Sequence, residues 1–214
     1  HDAFRVGEDG PTHEPVEQEA QIRLMEELRN LSGKPSMLVL RPADAVETTV
    51  CWQMAMDNKE TPSALILSRQ NIKDLPAADR YAEAQGALRG GYTVLSPSNP
   101  DVVLVANGSE VSLLCEAAEA LDAEGIACRV VSVPSIGLFE EQPEDYRLSV
   151  IPSDLPVFGL TAGLPSTLRG LVGCRGKIFG LNHFGASAPY QVLDEKFGFT
   201  IDNVTSQIRL MLGK

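Results

Sequence analysis

Basic residues are scarce in this 214-residue chain, which has 18 lysines and arginines against 29 aspartates and glutamates and a formal net charge of −11. The acidic excess is spread along the chain, and no basic segment stands out. Proteins that bind nucleic acid or anionic lipid need a basic patch to meet the phosphates. The sequence therefore argues against both nucleic acid and membrane as partners, and a phosphorylated ligand would need a local basic site.

Long apolar runs, paired cysteines and several common catalytic motifs are also missing. No hydrophobic run approaches the roughly 20 residues that span a bilayer. The four cysteines are far apart and form no Cys-x-x-Cys pair, so free buried thiols in a cytoplasmic protein are the simplest interpretation. The chain has no GxSxG, P-loop or complete GxGxxG motif. With 43% hydrophobic residues, its composition is that of a globular protein.

Short apolar runs alternate with helix-like segments and predict an α/β fold. Buried strands are expected over residues 37–40, 64–67, 101–106, 128–133, 157–160 and 177–180. Helices are expected over residues 44–58, 111–123, 138–150, 187–196 and 203–212. Residues 71–100 are mixed in pattern and predict a surface linker that crosses into a second domain. Alternation of this kind implies right-handed crossovers and a mostly parallel sheet.

The N-terminal loop gathers the residues with the most chemical potential. His1, Asp9 and His13 stand in a Gly- and Pro-rich segment, and loops of this kind can present polar groups to a ligand. The three side chains could converge on a polyhydroxylated ligand, since imidazole donates, accepts or carries a proton near neutral pH. On residue chemistry alone, a solvated loop with incidental histidines is the simpler interpretation. A His/Asp/His metal site is a third interpretation, which neither a helical i,i+4 histidine pair nor a nearby cysteine supports.

Arg69 directly follows the strand expected over residues 64–67. Ligands of open α/β sheets bind beyond the carboxyl ends of the strands, where a guanidinium can grip a phosphate. A surface arginine paired with a neighbouring acid would occupy the same position. Position alone leaves the two interpretations open.

Other polar residues have structural interpretations. Ser109 is expected to cap a helix, and Arg41 and Asp44 to cap and orient one. His183 is expected to be structural or a surface residue. Three glutamates suit an exposed face or the first turn of a helix: Glu14, Glu17 and Glu19.

A series of short motifs recurs in a defined order along the chain. The motifs are Gly-Glu-Asp-Gly-Pro-Thr-His at 7–13, Arg-Pro with Asp44 at 41–44, Ser-Arg-Gln at 68–70, Arg-Gly-Gly-Tyr at 89–92, Gly-Ser-Glu-Val at 108–111, Phe-Gly and Ser-Ala-Pro at 184–189, and Phe-Gly-Phe-Thr with Asp-Asn at 197–203. In this order and spacing they resemble transketolases, the thiamine diphosphate enzymes that move two-carbon ketol units between sugar phosphates. The chain begins within the loop that carries the first motif, so we expect it to be part of a longer protein.

The resemblance implies a domain organisation. Residues 1–85 are similar to the latter part of the pyrimidine-binding α/β domain of the family. Residues 86–214 are similar to a linker and a complete C-terminal α/β domain with a mostly parallel sheet. The chain is then part of a transketolase, and the isolated chain is expected to be inactive.

The resemblance also implies roles for four residues of this chain. His13 resembles the catalytic histidine near the reacting atoms of the donor. His1 resembles a histidine that contacts the substrate phosphate, Asp9 resembles the aspartate that contacts the acceptor C2 hydroxyl, and Arg69 resembles the arginine that holds the phosphate. Glu14 stands where the family often has glutamine, and Thr161 stands where it often has glutamate.

By the same resemblance, the complete enzyme uses thiamine diphosphate with a divalent metal, Mg²⁺ or Ca²⁺, and is a cytoplasmic homodimer. The metal-diphosphate domain and the glutamate that activates the cofactor have no counterpart here, so no bound cofactor or metal is expected on this chain. Two alternatives stay open: a naturally separate C-terminal subunit of a two-chain transketolase, and a relative similar to dihydroxyacetone synthase. A partial sheet also exposes an edge, so residues 1–35 are expected to be less stable than the rest.

Overall fold

Two β-sheets organise residues 3–214, which the computed structural model describes. The strands are β1 (Leu38–Leu40), β2 (Ser63–Leu65), β3 (Tyr92–Leu95), β4 (Val102–Ala106), β5 (Cys128–Ser132), β6 (Val157–Leu160) and β7 (Lys177–Phe179). The α-helices are α1 (Gln18–Glu27), α2 (Ala45–Asp57), α3 (Arg80–Ala84), α4 (Glu110–Asp122), α5 (Ile136–Glu140), α6 (Glu144–Val150), α7 (Arg169–Val172), α8 (Tyr190–Phe197) and α9 (Ile201–Leu212). Single 3₁₀ turns occupy Phe4–Val6, Pro11–His13, Gln85–Arg89 and Pro165–Leu168.

The larger sheet has the strand order β3-β5-β4-β6-β7, and only its edge strand β3 pairs antiparallel among these five strands. The smaller sheet is the parallel pair β1-β2. The predicted α/β class with a mostly parallel C-terminal sheet, preceded by a partial α/β unit, is confirmed.

The central strand β4 shows how the sheet separates two apolar layers. Val102, Leu104 and Ala106 face one core cluster, and Val103 and Val105 face the other. All five side chains are fully buried. A strand that is covered on both faces has a continuous apolar sequence, and this is why its position was clear from the sequence.

Asp44 begins α2 as the sequence predicts. Its side chain accepts a hydrogen bond from the Glu47 amide at 2.7 Å, and the Glu47 carboxylate accepts one from the Ala43 amide at 2.5 Å. This arrangement is similar to a capping box, except that Glu47 reaches the amide of the residue before the N-cap. At the other end of the chain, the Thr200 side chain accepts from the Asn203 amide, so the last helix begins two residues before the predicted start.

The expectation of a surface linker over residues 71–100 was wrong in part. This segment contains α3, a 3₁₀ turn and β3, whose residues alternate between buried and half-buried. Gly90 connects them with φ +84°, and a Cβ there would lie 2.3 Å from the Phe139 nitrogen. Gly90, which in the sequence suggests a loop, is needed here for a close approach of two backbones.

The cysteines differ from one another in exposure. Cys51, Cys115 and Cys128 are buried free thiols, as predicted, whereas Cys174 is exposed. Burial raises the pKa of the Cys115 and Cys128 thiols to about 12, so both stay protonated and unreactive at neutral pH. Within the described residues, no helix is both long and apolar enough to cross a membrane.

Large apolar side chains are exposed on the N-terminal part of the fold. Five of them are at least half exposed: Leu24, Leu28 and Leu31 in and after α1, and Trp52 and Met56 on α2. Together with the open edge of a two-stranded sheet, they form a surface of a kind that usually contacts another protein segment.

We therefore expect the backbone amides of α1 to exchange with solvent at least tenfold faster than those of β4, when the isolated chain is monomeric. The helix has only Arg23 and Glu26 as buried side chains, and both keep some exposure, whereas β4 lies in the centre of the core. Hydrogen exchange monitored by mass spectrometry measures this ratio. Equal protection of both elements in a monomer would contradict the expectation.

Candidate functional site

The N-terminal loop, residues 3–14, folds as two 3₁₀ turns joined by a tight bend. Gly10 has φ +81° and precedes Pro11, which begins the second turn. Non-glycine residues rarely adopt such a φ, so Gly10 allows the chain to reverse between Asp9 and His13. Both of these side chains are exposed.

The loop is attached to the C-terminal part of the chain rather than to its sequence neighbours. The Phe4 ring packs against Phe197 and Phe199, with centroid distances of 5.1 and 4.8 Å. The Ser187 hydroxyl donates to the Glu8 carbonyl at 2.6 Å. The position of the loop therefore depends on α8 and the segment just before it.

Asp9 and Arg69, two of the predicted substrate-binding residues, lie side by side. The Arg69 guanidinium pairs with the Asp9 carboxylate and donates to the Val6 carbonyl at 3.3 Å. Both side chains are about half exposed, at 57% for Arg69 and 44% for Asp9, so a ligand can reach them. An arginine and a carboxylate at the end of a parallel strand can hold an anionic, hydroxylated ligand.

Of the two predicted site histidines, the structure describes only His13. His13 is exposed on the same loop as Asp9, and its Nδ1 lies 3.0 Å from the Thr12 hydroxyl. This hydroxyl can orient the ring. His1, predicted to contact the substrate phosphate, lies outside the described residues.

Arg5 is a site residue that the sequence analysis missed. It is buried and pairs with Asp194 at 2.7 Å and with Glu110 at 2.6 Å. Its guanidinium also lies 5.3 Å from the ring centroids of Phe4 and Phe199. These contacts join the loop to α4 and α8, which are more than 100 residues away in sequence, so no local pattern indicates them.

Glu110 is the buried acceptor of this cluster. Arg41 and Arg5 both contact it at 2.6 Å, and the Ala162 amide donates to it at 3.2 Å. Burial alone would raise the pKa of Glu110, but the two guanidinium groups outweigh it and hold the pKa below its ordinary value. Arg41, expected to cap a helix, is instead the largest fully buried side chain and pairs with the first residue of α4.

Ser109 immediately precedes α4, as predicted, but its side chain does not make the expected cap. Its hydroxyl donates to Glu110 at 2.9 Å and accepts from Arg5 at 3.1 Å and from Gln70 at 3.2 Å. His183 lies 5.0 Å from the Phe197 ring and 2.8 Å from the Phe184 carbonyl, in agreement with a structural role.

Glu14 was expected on an exposed face or in the first turn of a helix, and this was wrong. It follows the second 3₁₀ turn and is only 1% exposed. Its carboxylate lies against Gly185, where a Cβ would clash with Oε2. Burial raises the pKa of Glu14, the Asp9 charge raises it further, and the backbone amides of Gly7 and Ala186 offset this only in part.

Replacing Glu14 with glutamine should remove a pH-dependent loss of stability. A raised pKa in the folded state means that the stabilising neutral form is fully present below the unfolded pKa of about 4.5 and is lost as the pH rises through the folded pKa. We expect the free energy of unfolding of the variant to match that of the native chain at pH 4, below the unfolded pKa, and to exceed it by about 1–3 kcal/mol at pH 8. Urea unfolding at both pH values measures the difference.

Four other carboxyl groups also have a raised pKa: Glu26, Glu47, Glu140 and Asp194. Comparing the variant with the native chain at the same pH cancels their effect on stability. Glu17→Gln is the control, because Glu17 lies three residues away and is only half-buried. A stability gap for Glu14→Gln that is the same at pH 4 and pH 8 would rule out ionisation as the cause.

The described residues do not form a metal site. Among residues 3–214, no three His, Cys, Asp or Glu side chains are grouped so that they could hold a metal ion. The third interpretation of the loop, a His/Asp/His metal site, needs His1 as well and gains no support from the described residues.

Two protein families match the chain on either side of residues 75–89. The family described as "Transketolase, pyrimidine binding domain" matches residues 1–74, and "Transketolase-like TK C-terminal domain" matches residues 90–200, about half of the chain. The chain belongs to the transketolase family. The order of the two matches agrees with the order of domains that the motifs imply.

Individual transketolases are similar over nearly the whole chain. A transketolase from Staphylococcus aureus (strain MW2) is 43% identical over 210 residues, which is 97% of this chain and 30% of that protein. A mutant transketolase from Pichia stipitis in complex with xylulose 5-phosphate has a TM-score of 0.88 and 34% identity, over 100% of this chain and 29% of that one. The chain thus spans about a third of the length of these relatives.

A third comparison shows likeness of fold alone. An inactive β4 tetramer of a split-gene transketolase has a TM-score of 0.69 and 24% identity, over 95% of this chain and 63% of that one. The described fold therefore also occurs in a chain that is much shorter than the Staphylococcus aureus and Pichia stipitis proteins.

Proposed function

We propose that this chain supplies the substrate-contacting part of a transketolase that transfers a two-carbon ketol unit between sugar phosphates. The observation that carries the proposal is the pairing of Arg69 with Asp9 at the end of β2, on the loop that also presents His13. The guanidinium, the carboxylate and the imidazole lie on one accessible surface. This combination suits a phosphorylated polyol, because the carboxylate can accept hydrogen bonds from hydroxyl groups. The xylulose 5-phosphate complex of the Pichia stipitis relative supports this class of substrate.

Each of these side chains has a distinct role in the proposal. Arg69 holds the substrate phosphate through a charged fork, in competition with its present partner Asp9. Asp9 accepts a hydrogen bond from the acceptor C2 hydroxyl. His13, oriented by Thr12, donates a hydrogen bond to the reacting oxygen of the donor or takes its proton. His1 contributes a second contact to the phosphate.

Thiamine diphosphate, when bound in the complete enzyme, supplies the nucleophilic carbon that carries the two-carbon unit. The described residues offer no donor set for the divalent metal, Mg²⁺ or Ca²⁺, that accompanies the diphosphate in this family. The proposal therefore places the metal, the diphosphate and the activating glutamate in another part of the parent protein. On this basis the isolated chain binds no cofactor and is inactive.

The proposed partner of this chain is the rest of the transketolase polypeptide. The exposed apolar side chains of α1 and α2 and the two-stranded sheet β1-β2 support it, because they form an incomplete α/β unit. The family resemblance adds a homodimeric, cytoplasmic parent to the proposal. The naturally separate C-terminal subunit remains a second candidate, favoured by the similar fold of the split-gene transketolase.

A ketol-transfer assay tests the proposal with xylulose 5-phosphate and ribose 5-phosphate, in the presence of thiamine diphosphate and Mg²⁺. The chain is assayed alone and after mixing with the upstream region expressed as a separate polypeptide. We expect no activity alone and activity after mixing. Activity of the chain alone would show that the cofactor site is not where we place it. Formaldehyde that replaces ribose 5-phosphate equally well as acceptor would favour the relative similar to dihydroxyacetone synthase.

A further inference from the structure

The two loops that carry the proposed substrate contacts meet at a single side chain of the C-terminal domain. The first loop, residues 5–13, reaches Ser109 Oγ through Arg5 Nη1 at 3.1 Å. The second loop, residues 68–70, reaches the same oxygen through Gln70 Nε2 at 3.2 Å. The Ser109 hydroxyl donates its own proton to Glu110 at 2.9 Å, so it can accept from both loops at once.

Glu110, which accepts the hydrogen bond from Ser109, is itself held in place. Glu110 is completely buried and receives Arg5, Arg41 and the Ala162 amide, so its carboxylate is held from three sides. Charge-assisted hydrogen bonds of this length are strong and directional. Ser109 therefore stands on a rigid support at the start of a 13-residue helix.

The proposed substrate contacts lie only a few residues along the chain from the two side chains that bind Ser109. Gln70 is the neighbour of Arg69, and Arg5 precedes Asp9 by four residues. The direct links between the loops run from Arg69 to the Asp9 carboxylate and to the Val6 carbonyl, the latter at 3.3 Å. The Arg69 side chain is 57% exposed, so these contacts are worth little by themselves. The relative position of the phosphate-binding and hydroxyl-binding groups must then come from the buried contacts.

We propose that Ser109 and Glu110 are positioning residues, which hold the two substrate-contacting loops at a fixed distance from each other. The inference rests on the proposed function for the identity of the ligand, but the coupling of the loops does not. It gives the C-terminal domain a role in substrate geometry without any contact between that domain and the substrate. The fixed distance between the loops favours binding when one ligand contacts both of them.

The coupling of the loops can be tested on the 214-residue chain by hydrogen exchange. Ser109→Ala removes the shared acceptor and should increase exchange about fivefold in both 6–14 and 66–74. Gln70→Ala should increase it only in 66–74. Ser112→Ala is the matched control, because its hydroxyl donates within the helix to the Ser109 carbonyl and should leave both segments within twofold.

Two results would overturn the positioning role. One is unchanged exchange in both segments of Ser109→Ala. The other is a uniform increase along the chain, β4 included, because this would show a loss of global stability rather than a local release. Faster exchange in both segments with β4 unchanged supports the inference.

The complete enzyme, with its remaining domains and cofactor, gives a second measurement. Ser109→Ala should raise KM for ribose 5-phosphate about fivefold and leave kcat within twofold, because the loops lose relative order but keep their side chains. A lower kcat with an unchanged KM would contradict positioning. A complete enzyme without any ketol transfer would refute the proposed function, and the exchange experiment would still decide the coupling of the loops.

Discussion

Replacing Arg69 with methionine in the complete enzyme should lower kcat/KM for ribose 5-phosphate by about 10- to 100-fold. Methionine has a similar length but cannot donate to a phosphate, and a hydrogen bond to a charged group contributes about 1.5–3 kcal/mol. The loss should appear mainly in KM, because the guanidinium binds a part of the substrate that does not react. Steady-state kinetics with phosphorylated and non-phosphorylated acceptors measures it.

The acceptor glycolaldehyde provides the internal control, since it has no phosphate and should be used equally well by the native enzyme and the variant. Arg29→Met is the matched variant, because Arg29 is also an exposed arginine in an ion pair, with Glu141 at 2.5 Å. It should change neither acceptor by more than twofold. Equal losses for both acceptors in Arg69→Met would refute a role in phosphate binding.

Replacing Glu110 with alanine should destabilise the chain by about 3–5 kcal/mol, which lowers its melting temperature by roughly 10 °C. The substitution removes a fully buried carboxylate from between Arg5 and Arg41 and leaves both guanidinium groups without this partner. Arg5 keeps Asp194 and Arg41 keeps Asn107, but each buried guanidinium loses a carboxylate contact of 2.6 Å. Removing one partner of a buried pair costs far more than the pair contributes. Urea unfolding followed by circular dichroism gives the value.

Glu116→Ala is the appropriate comparison on the same helix. Glu116 pairs with Lys73, whose side chain is 74% exposed, and surface pairs of this kind contribute 0–1 kcal/mol. We expect a change below about 0.5 kcal/mol. If the two variants were equally stable, the buried cluster around Glu110 would not hold the N-terminal loop on the C-terminal domain.

The architecture was predictable from the sequence wherever the signal is local. The continuous apolar run of β4 marks a strand buried on both faces, and Asp44 with Glu47 three residues later marks the start of α2. The edge strand β3 was missed because only one of its faces is covered. Its Tyr92-Thr93-Val94-Leu95 sequence follows two glycines and gives a weak alternation that resembles a loop.

The candidate site was predictable only in part, and for a related reason. Asp9, His13 and Arg69 were chosen because loop position and motif resemblance mark them, and their roles stay predictions. Arg5 was not found, since its importance comes from partners that lie far along the chain. Glu14 was misplaced because a carboxylate in a polar loop is usually solvated, and the contact with Gly185 that buries it is not visible in the sequence.

The docking of the N-terminal loop on α8 has a consequence for biosynthesis. Arg5 and Asp194 are 189 positions apart, so the loop leaves the ribosome long before the helix that receives it. Domains fold as they emerge, N-terminal parts first. The loop cannot reach its final geometry until almost all of the 214 residues have been translated. Its completion then reports that α8 has been translated, and a nascent chain that stops before α8 carries the N-terminal loop in an unformed state.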